Sequence, residues 1–374
     1  MTLDRKQGGW PDRRLIDLLR IEHPIVLAPM VGATTIELAG SVCAAGGLGS
    51  IGCAAMTPQI VAATIEQWRL LTKGPINLNF FCHVSLQADS RLESAWRNKL
   101  EPYYEEAGLP LPQASSAPNI PPFNDAFCSV IEASRPEVVS FHFGLPASSL
   151  VARVKAAGCL VMSSATTVEE ARWLEDHGAD VIIAQGNDAG GHRGMFLSPD
   201  IDRESRSQPG TFALVPQIVD CVEAPVVAAG GVSDARGIVA ALALGAAGVQ
   251  MGTAYLLCPE AATPPLYRAA LRRAQADLTV VTSVFTGRPA RALLNRLTRD
   301  AGSLADAVPP FPTAMSALAP LRAEAEQRGC DDFSAFWSGQ AAALAREMAA
   351  EPLTRAFVAE ALQRIGWLAR SCSG

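Results

Sequence analysis

One pattern repeats through most of this chain: a short apolar run, a turn, a helical stretch, then another apolar run. Runs at 24–29, 48–52, 76–81, 138–143, 160–164, 180–183, 225–229 and 249–252 read as strands. Stretches near 34–45, 57–71, 90–107, 147–157, 168–177, 214–221 and 235–244 have helical character. Eight βα units over roughly 250 residues is the size of a TIM barrel. Near-continuous apolar strands suit a parallel sheet covered by helices. A doubly wound α/β sheet is the alternative, but no G-x-G-x-x-G follows the first strand. The proline-rich stretch 110–122 reads as a loop, and 198–208 as a polar insertion. The expected division is a (β/α)8 barrel over 1–258, a small mainly helical cap over 259–340, and a C-terminal helix at 341–374 that returns to the barrel.

Composition narrows the class. Hydrophobic residues make up 49% and charged residues 18%, which describes a large core. The net charge of −6 gives no reason to expect a nucleic-acid partner. Nine cysteines, odd in number and without a C-x-x-C pair, predict neither a disulfide framework nor a zinc site. A reducing, cytoplasmic setting follows. No apolar run follows Met1–Lys6, so no signal peptide is expected. Residues 238–258 are uncharged and long enough to span a membrane. Gly245, Gly248, Gln250 and Gly252 interrupt them, so they read as a helix followed by a buried strand, with no membrane partner.

A TIM barrel carries its active site at the C-terminal ends of its strands. Polar residues and glycines collect there: Asn79 and His83 after the third strand, His142 after the fourth, Gln185 and His192 after the sixth. Gly230-Gly231 and Gly252-Thr253 end the last two, where backbone N–H groups commonly hold phosphate. The same glycines also serve in plain tight turns, and Asn79 and Gln185 equally suit rim hydrogen bonding. The densest stretch is Ala184–Gly194, where Gly190-Gly191 lets a flat ligand approach the backbone and His192 brings a titratable ring. Of five histidines, His23 lies before the first strand and His177 ends a helix, so both read as structural. His83 and His142 either shape the pocket or fill it, and His192 is the candidate acid/base group. No Ser–His–Asp arrangement is evident. The histidines lack carboxylate partners at ligand spacing, so no metal is expected.

These residues resemble the class I nitronate monooxygenases, formerly called 2-nitropropane dioxygenases. The matching stretches are Ala28-Pro29-Met30, Ala45–Gly49, Asn77–His83, Val139–Pro146, Gln185–Gly194, Ala229–Gly231, Gln250–Thr253, Gly287–Arg291 and Trp337–Gln340. They cover nearly the whole chain and are specific together, although the glycine motifs recur in other flavin barrels. The resemblance implies an FMN enzyme that oxidises alkyl nitronates with O2 to a carbonyl compound and nitrite. It places FMN against Met30, Asn79, Gln185, Gly190, Gly231, Gln250, Met251, Gly252 and Thr253, and it matches His192 to the family's active-site histidine. Asp188 stands where glutamate is common. Phe311 and Ala319 stand where some members have tyrosine and lysine, which leaves recognition of a carboxylated nitronate such as propionate 3-nitronate unsupported.

A nitronate is an anion with a nucleophilic carbon, so the protein's tasks are to hold it and admit oxygen while the cofactor carries the electron chemistry. His192 would orient a nitronate, or remove the α-proton of a neutral nitroalkane. Two rival readings remain. One is an FMN barrel reductase using NADH or NADPH, either an enoyl-acyl-carrier-protein reductase or a quinone reductase. The other is a non-catalytic flavin-binding barrel.

Overall fold

The computed structural model describes residues 9–84, 89–112, 120–274, 278–302 and 308–371. Met1–Lys6, most of the loop expected at 110–122 and Cys372 lie outside the described residues.

The strands are β1 (Ile25–Leu27), β2 (Gly49–Gly52), β3 (Ile76–Phe81), β4 (Val138–His142), β5 (Leu160–Ala165), β6 (Val181–Gln185), β7 (Gly191–His192), β8 (Val226–Ala229), β9 (Gly248–Met251), β10 (Thr279–Thr282) and β11 (Ala290–Leu293). Eight of them form one parallel sheet in the order β1-β9-β8-β6-β5-β4-β3-β2. A parallel bridge between Val26 and Leu48 joins its two ends. The result is the TIM barrel that the alternating pattern predicts. Side chains along each strand alternate between the barrel interior and the helices. The lower interior is apolar: Val26, Leu48, Val138, Met162, Val181 and Val227 pack together. Leu15 and Leu19 of α1 (Arg14–Leu19) close this N-terminal end. Toward the C-terminal end the interior turns polar, with Asn79, Ser140, Ser164 and Gln185 buried. The apolar floor holds the fold, and the polar rim is available for chemistry.

The remaining helices are α2 (Ile36–Ala44), α3 (Pro58–Leu71), α4 (Ser90–Ala107), α5 (Asp125–Ser134), α6 (Ser148–Ala156), α7 (Val168–Asp176), α8 (Ile201–Ser205), α9 (Thr211–Val219), α10 (Ala235–Ala243), α11 (Pro265–Arg273), α12 (Arg296–Ala301), α13 (Ala314–Gln327) and α14 (Ala350–Ser371). Side-chain caps set many of their starts: Thr35, Thr57, Thr167 and Asp234 each accept a backbone N–H of the first turn. Such a cap contributes about 1 kcal/mol. The uncharged stretch 238–258 becomes the end of α10, then β9, then a single 3-10 turn. No helix among the described residues is long and apolar enough to cross a membrane.

The chain leaves the barrel twice. After β3, α4 docks away from the barrel on α13, burying Trp96, Leu100 and Tyr104 with Ala317, Leu318 and Leu321. The Tyr104 hydroxyl donates to the Ala317 carbonyl at 2.7 Å. The barrel position before β4 is taken instead by α5, which packs between α3 and α6. The second excursion is an antiparallel ribbon, β10-β11-β7, that links the cap to the segment following β6. The cap therefore combines helices with a ribbon, whose strands of two to four residues are too short to carry a period. Finally, α14 lies against α10 and α2, burying Leu353, Phe357 and Ala361. Its Thr354 hydroxyl meets that of Tyr255 at 2.9 Å.

Candidate active site

A cavity of about 410 Å³ opens at the C-terminal ends of the strands. Met30, Asn79, His142, Gln185, Gly190, His192, Gly230, Gly231, Gln250, Gly252 and Thr253 all line it. The strand ends thus bring together eleven of the thirteen residues singled out in the sequence. The other two sit elsewhere. Met251 follows Gln250 along β9, so strand alternation turns it outward into the helix layer, where it is fully buried. His83 is buried behind the wall, edge-on to Phe311 at 4.9 Å, and its Nδ1 has no partner among the described residues.

The turn after β6 is fixed from several directions. Gln185 Nε2 donates to the His192 carbonyl at 2.9 Å, and its Oε1 accepts from Gly194 N at 2.8 Å. The Gln185 amide is therefore largely committed to shaping the turn. Arg193 is fully buried and donates to Gln208 Oε1 (2.6 Å), the Gly186 carbonyl (2.7 Å) and the Gln185 carbonyl (2.8 Å). Burial pushes its pKa down to about 9, since neutral oxygens and no adjacent carboxylate receive the charge. Asp188 Oδ2 accepts from Thr211 N at 2.6 Å, which ties the turn to the start of α9. On the other side, β7 pairs with β11, and Arg193 N donates to the Pro289 carbonyl at 2.8 Å.

The three nearby histidines take different parts. His192 Nε2 lies 3.0 Å from Thr286 Oγ1, and the Thr286 hydroxyl lies 3.2 Å from the Arg288 carbonyl. When that hydroxyl donates to Arg288, its oxygen accepts Nε2–H, and the Nδ1 lone pair of His192 is left free. His142 Nε2 donates to the His192 carbonyl at 3.0 Å, and its Nδ1 accepts from Ser164 Oγ at 3.0 Å. With both nitrogens engaged, His142 is a support for the turn rather than an acid/base group. Burial, reinforced by His142, Arg288 and His83, pushes the pKa of His192 down to about 3. Burial pushes His142 and His83 down to about 4. All three rings are neutral near pH 7. Phe81, Phe143, Phe311 and Trp337 surround the His192 ring at centroid distances of 6.1, 5.9, 5.5 and 5.1 Å.

The cavity also has a glycine-lined part. Gly231 has a φ of +69°, and a Cβ there would come within 3.2 Å of Asp188 Cβ. A Cβ at Gly190 would approach Gly339 N to 2.6 Å. Gly339 N donates to Thr253 Oγ1 at 3.0 Å, and Gln340 N to the Asp188 carbonyl at 3.0 Å. The cap segment around Trp337–Gln340 thereby completes this end of the cavity. Sequence reasoning assigned no role to Thr286, Ser164 or Arg193. A hydroxyl three-dimensionally adjacent to a histidine leaves no spacing signal, although Arg193 could have been noted as the charge directly after the candidate histidine.

The chain matches the family model described as nitronate monooxygenase over residues 12–360. It is 44% identical over 351 residues to a nitronate monooxygenase of Pseudomonas aeruginosa, covering 93% of this chain and 98% of that one. It is 41% identical over 356 residues to a nitronate monooxygenase of Paraburkholderia phytofirmans, covering 94% and 96%. Among solved structures it resembles nitroalkane oxidase from Streptomyces ansochromogenes, with a TM-score of 0.85, 34% identity, and coverage of 95% and 99%. FabK from Thermotoga maritima follows the same fold with a TM-score of 0.71, 29% identity, and coverage of 96% and 98%.

The chain belongs to the nitronate monooxygenase family, a family of enzymes.

Proposed function

On the premise of that family membership, we propose that this protein binds FMN and uses O2 to oxidise alkyl nitronates to a carbonyl compound and nitrite. The observation that carries the reading is the pairing of a glycine-lined cavity end with His192, a neutral imidazole whose Nε2 is engaged by Thr286 and whose Nδ1 has no partner among the described residues.

The residues present fit an FMN. Gln250 lines the cavity with an Oε1 that has no donor among the described residues, and a flavin edge brings N–H groups. Gly190 and Gly231 keep the wall clear where a Cβ would crowd Gly339 and Asp188. Asn79 Nδ2 is spent on Ser140 Oγ at 3.0 Å, which leaves its Oδ1 as an acceptor. Gly230, Gly231, Gly252 and Thr253 would take the phosphate end, Met30 the ring face, and Gln185 would brace the turn. Met251 would serve only by positioning Gln250 and Gly252 along β9. When bound, a flavin would supply the redox chemistry between substrate and oxygen.

The chain's own contribution is orientation and proton control. A nitronate arrives as an anion, and the walls around His192 are aromatic rings and neutral imidazoles. Thr286 gives the imidazole two usable states. With the hydroxyl turned to Arg288, Nδ1 is a lone pair able to take an α-proton from a neutral nitroalkane, the nitronate formed beside it offsetting the burial that keeps the free ring neutral. With the hydroxyl turned to Nε2, Nδ1 carries the proton and donates a hydrogen bond to a nitronate oxygen. His142 and Gln185 hold the His192 backbone still during both. The barrel thus supplies the cofactor side and the cap the substrate side, with His83 buttressing Phe311. The eight described cysteines are all free, which supports a reducing, cytoplasmic setting.

The test is acid release of the bound flavin with chromatography, together with nitrite and oxygen assays on a panel of small alkyl nitronates. The expected result is FMN with nitrite formed in step with oxygen consumed. FAD, or no nitrite from any nitronate, refutes the reading. Rapid anaerobic bleaching by NADH together with absent nitrite replaces it with the reductase alternative.

A further inference from the structure

We propose that Arg288 is a positioning residue for this reaction: an unpaired guanidinium, fixed on the Phe143 ring behind the His192 wall, that supplies the positive field drawing an anionic substrate toward His192. The inference rests on the proposed nitronate reading and adds the origin of its charge selectivity.

The geometry is specific. The Arg288 guanidinium carbon lies 3.9 Å from the Phe143 ring centroid. Its Nη2 donates to the Met195 carbonyl, and its buried Nε has no partner among the described residues. No carboxylate among the described residues forms an ion pair with it. Glu170 and Asp202 act on it electrostatically, and the Glu170 oxygens already accept from Thr166, Phe196 and Leu197. A desolvated cation without a counter-ion is costly to keep, which makes it a sign of function rather than of stability.

Its platform is also unusual. Phe143 has a φ of +70° and is followed by Gly144 at +86°, so β4 ends in two consecutive left-handed residues. Such a conformation in a phenylalanine is strained and persists only where the surroundings over-determine it. Here the ring is gripped by His142 at 4.6 Å and Phe81 at 4.8 Å, with Arg288 on its face. A cation over the ring face is attracted by the ring quadrupole, a contact open to a guanidinium or an ammonium.

The groups facing His192 are His142 from β4, His83 from the segment after β3, and Arg288 and Thr286 from the loop before β11. The three imidazoles are neutral near pH 7, so Arg288 is the charged member of this group. Arg322, unlike Arg288, lines the cavity itself, but it lies toward the end of α13 beside Glu326, 4.0 Å away. An anion in the cavity therefore gains from Arg288 across a low-dielectric wall, whereas its neutral parent does not.

The test uses the purified full chain and needs no turnover for its first arm. Nitrate, a planar monoanion, is titrated calorimetrically into wild type, Arg288→Met and Arg288→Lys. The second arm compares KM for propane-2-nitronate with that for 2-nitropropane, a pair alike in shape but different in charge. Arg288→Met should weaken nitrate binding and raise the nitronate KM by about tenfold, leave the 2-nitropropane KM unchanged, and alter kcat less than KM. Arg288→Lys, which keeps the charge, should stay within about threefold of wild type for nitrate. If Arg288→Met does not fold, the lysine variant alone decides: retained affinity supports the proposal and a tenfold loss overturns it. Equal loss for the nitronate and the neutral nitroalkane, unchanged nitrate affinity in Arg288→Met, or absence of nitrate binding to wild type also overturns it. Nitrite release by wild type separately decides the nitronate reading, so the two failures are distinguishable.

Discussion

Replacing His192 with asparagine separates its two assigned tasks, and the structure sets the scale. The backbone of the turn does not depend on the imidazole. The His192 carbonyl is held by His142 Nε2 at 3.0 Å and Gln185 Nε2 at 2.9 Å, and β7 pairs with β11 through main-chain bonds. What is lost is the side-chain bond to Thr286, worth roughly 1 kcal/mol, and part of the packing against Trp337 and Phe311. The variant should fold with a Tm only a few degrees lower and keep its FMN, because the glycine-lined end is untouched. Its activity should split by substrate. A neutral nitroalkane needs a base, and asparagine is none, so kcat/KM should fall on the order of a hundredfold. A preformed nitronate needs only a donor, which the introduced side-chain amide would supply, so its loss should stay within about tenfold. The assay is oxygen uptake with each substrate at fixed pH, after flavin content has been equalised. An unchanged nitroalkane rate in the flavin-loaded variant refutes the base role.

Three further outcomes are expected. Gly231→Val should lose FMN while Gly32→Val keeps it: both have positive φ, so strain is shared, but only position 231 has a neighbour within 4 Å, Asp188, and flavin retention on desalting is the measurement. Thr286→Val should lower nitroalkane turnover by about tenfold, less than His192→Asn, because Nε2–H loses its acceptor while the imidazole remains; equal losses in steady-state kinetics would mean that Thr286 acts on the turn itself. Stability should fall with acid. His83, His142 and His192 have native pKa values pushed down to about 4, 4 and 3, so below about 6.5 the unfolded state binds protons that the folded state refuses, and stability is lost as pH falls toward those values. Each contributes at most ~1.4 kcal/mol per pH unit there. Thermal unfolding between pH 7 and 5 checks this, and His142→Gln should flatten the slope.

The barrel was legible because its strands are apolar runs of valine, isoleucine and leucine bounded by glycine and proline, which carry their meaning locally. Helix α4 was legible as a helix at 90–107, yet its place was not. Nothing in its amphipathic pattern says whether Trp96 and Leu100 face the barrel or α13, and the partner lies over two hundred residues further along the chain. The ribbon β10-β11-β7 was invisible for a related reason: Gly191-His192 becomes a strand only because Ala290 and Arg291 are there to pair with it. Pairing at that separation leaves no period to detect.

The site shows the same division between residue type and partner. His192 stood out through the two glycines before it, a local signal. Its basic properties depend on Thr286, on His142 beneath its carbonyl and on Arg288 across Phe143, none of them near it in the chain. Gln185 and Met251 make the point from the other direction. A glutamine at a strand end reads as a ligand contact, but Gln185 uses its amide to bind the turn that follows it. Met251 lies beside Gln250 in a glycine motif, yet the two-residue period of β9 sends adjacent side chains to opposite faces, so only one of them can reach the cavity. Strand register, once the barrel is recognised, therefore selects among neighbouring motif residues more sharply than the motif itself. Applied to β3, it puts Asn77 and Asn79 on the interior face with Asn79 nearer the mouth. The hydrogen bonds agree, with Asn77 joined to Ser50 inside the barrel and Asn79 to Ser140 at the rim, where it lines the cavity.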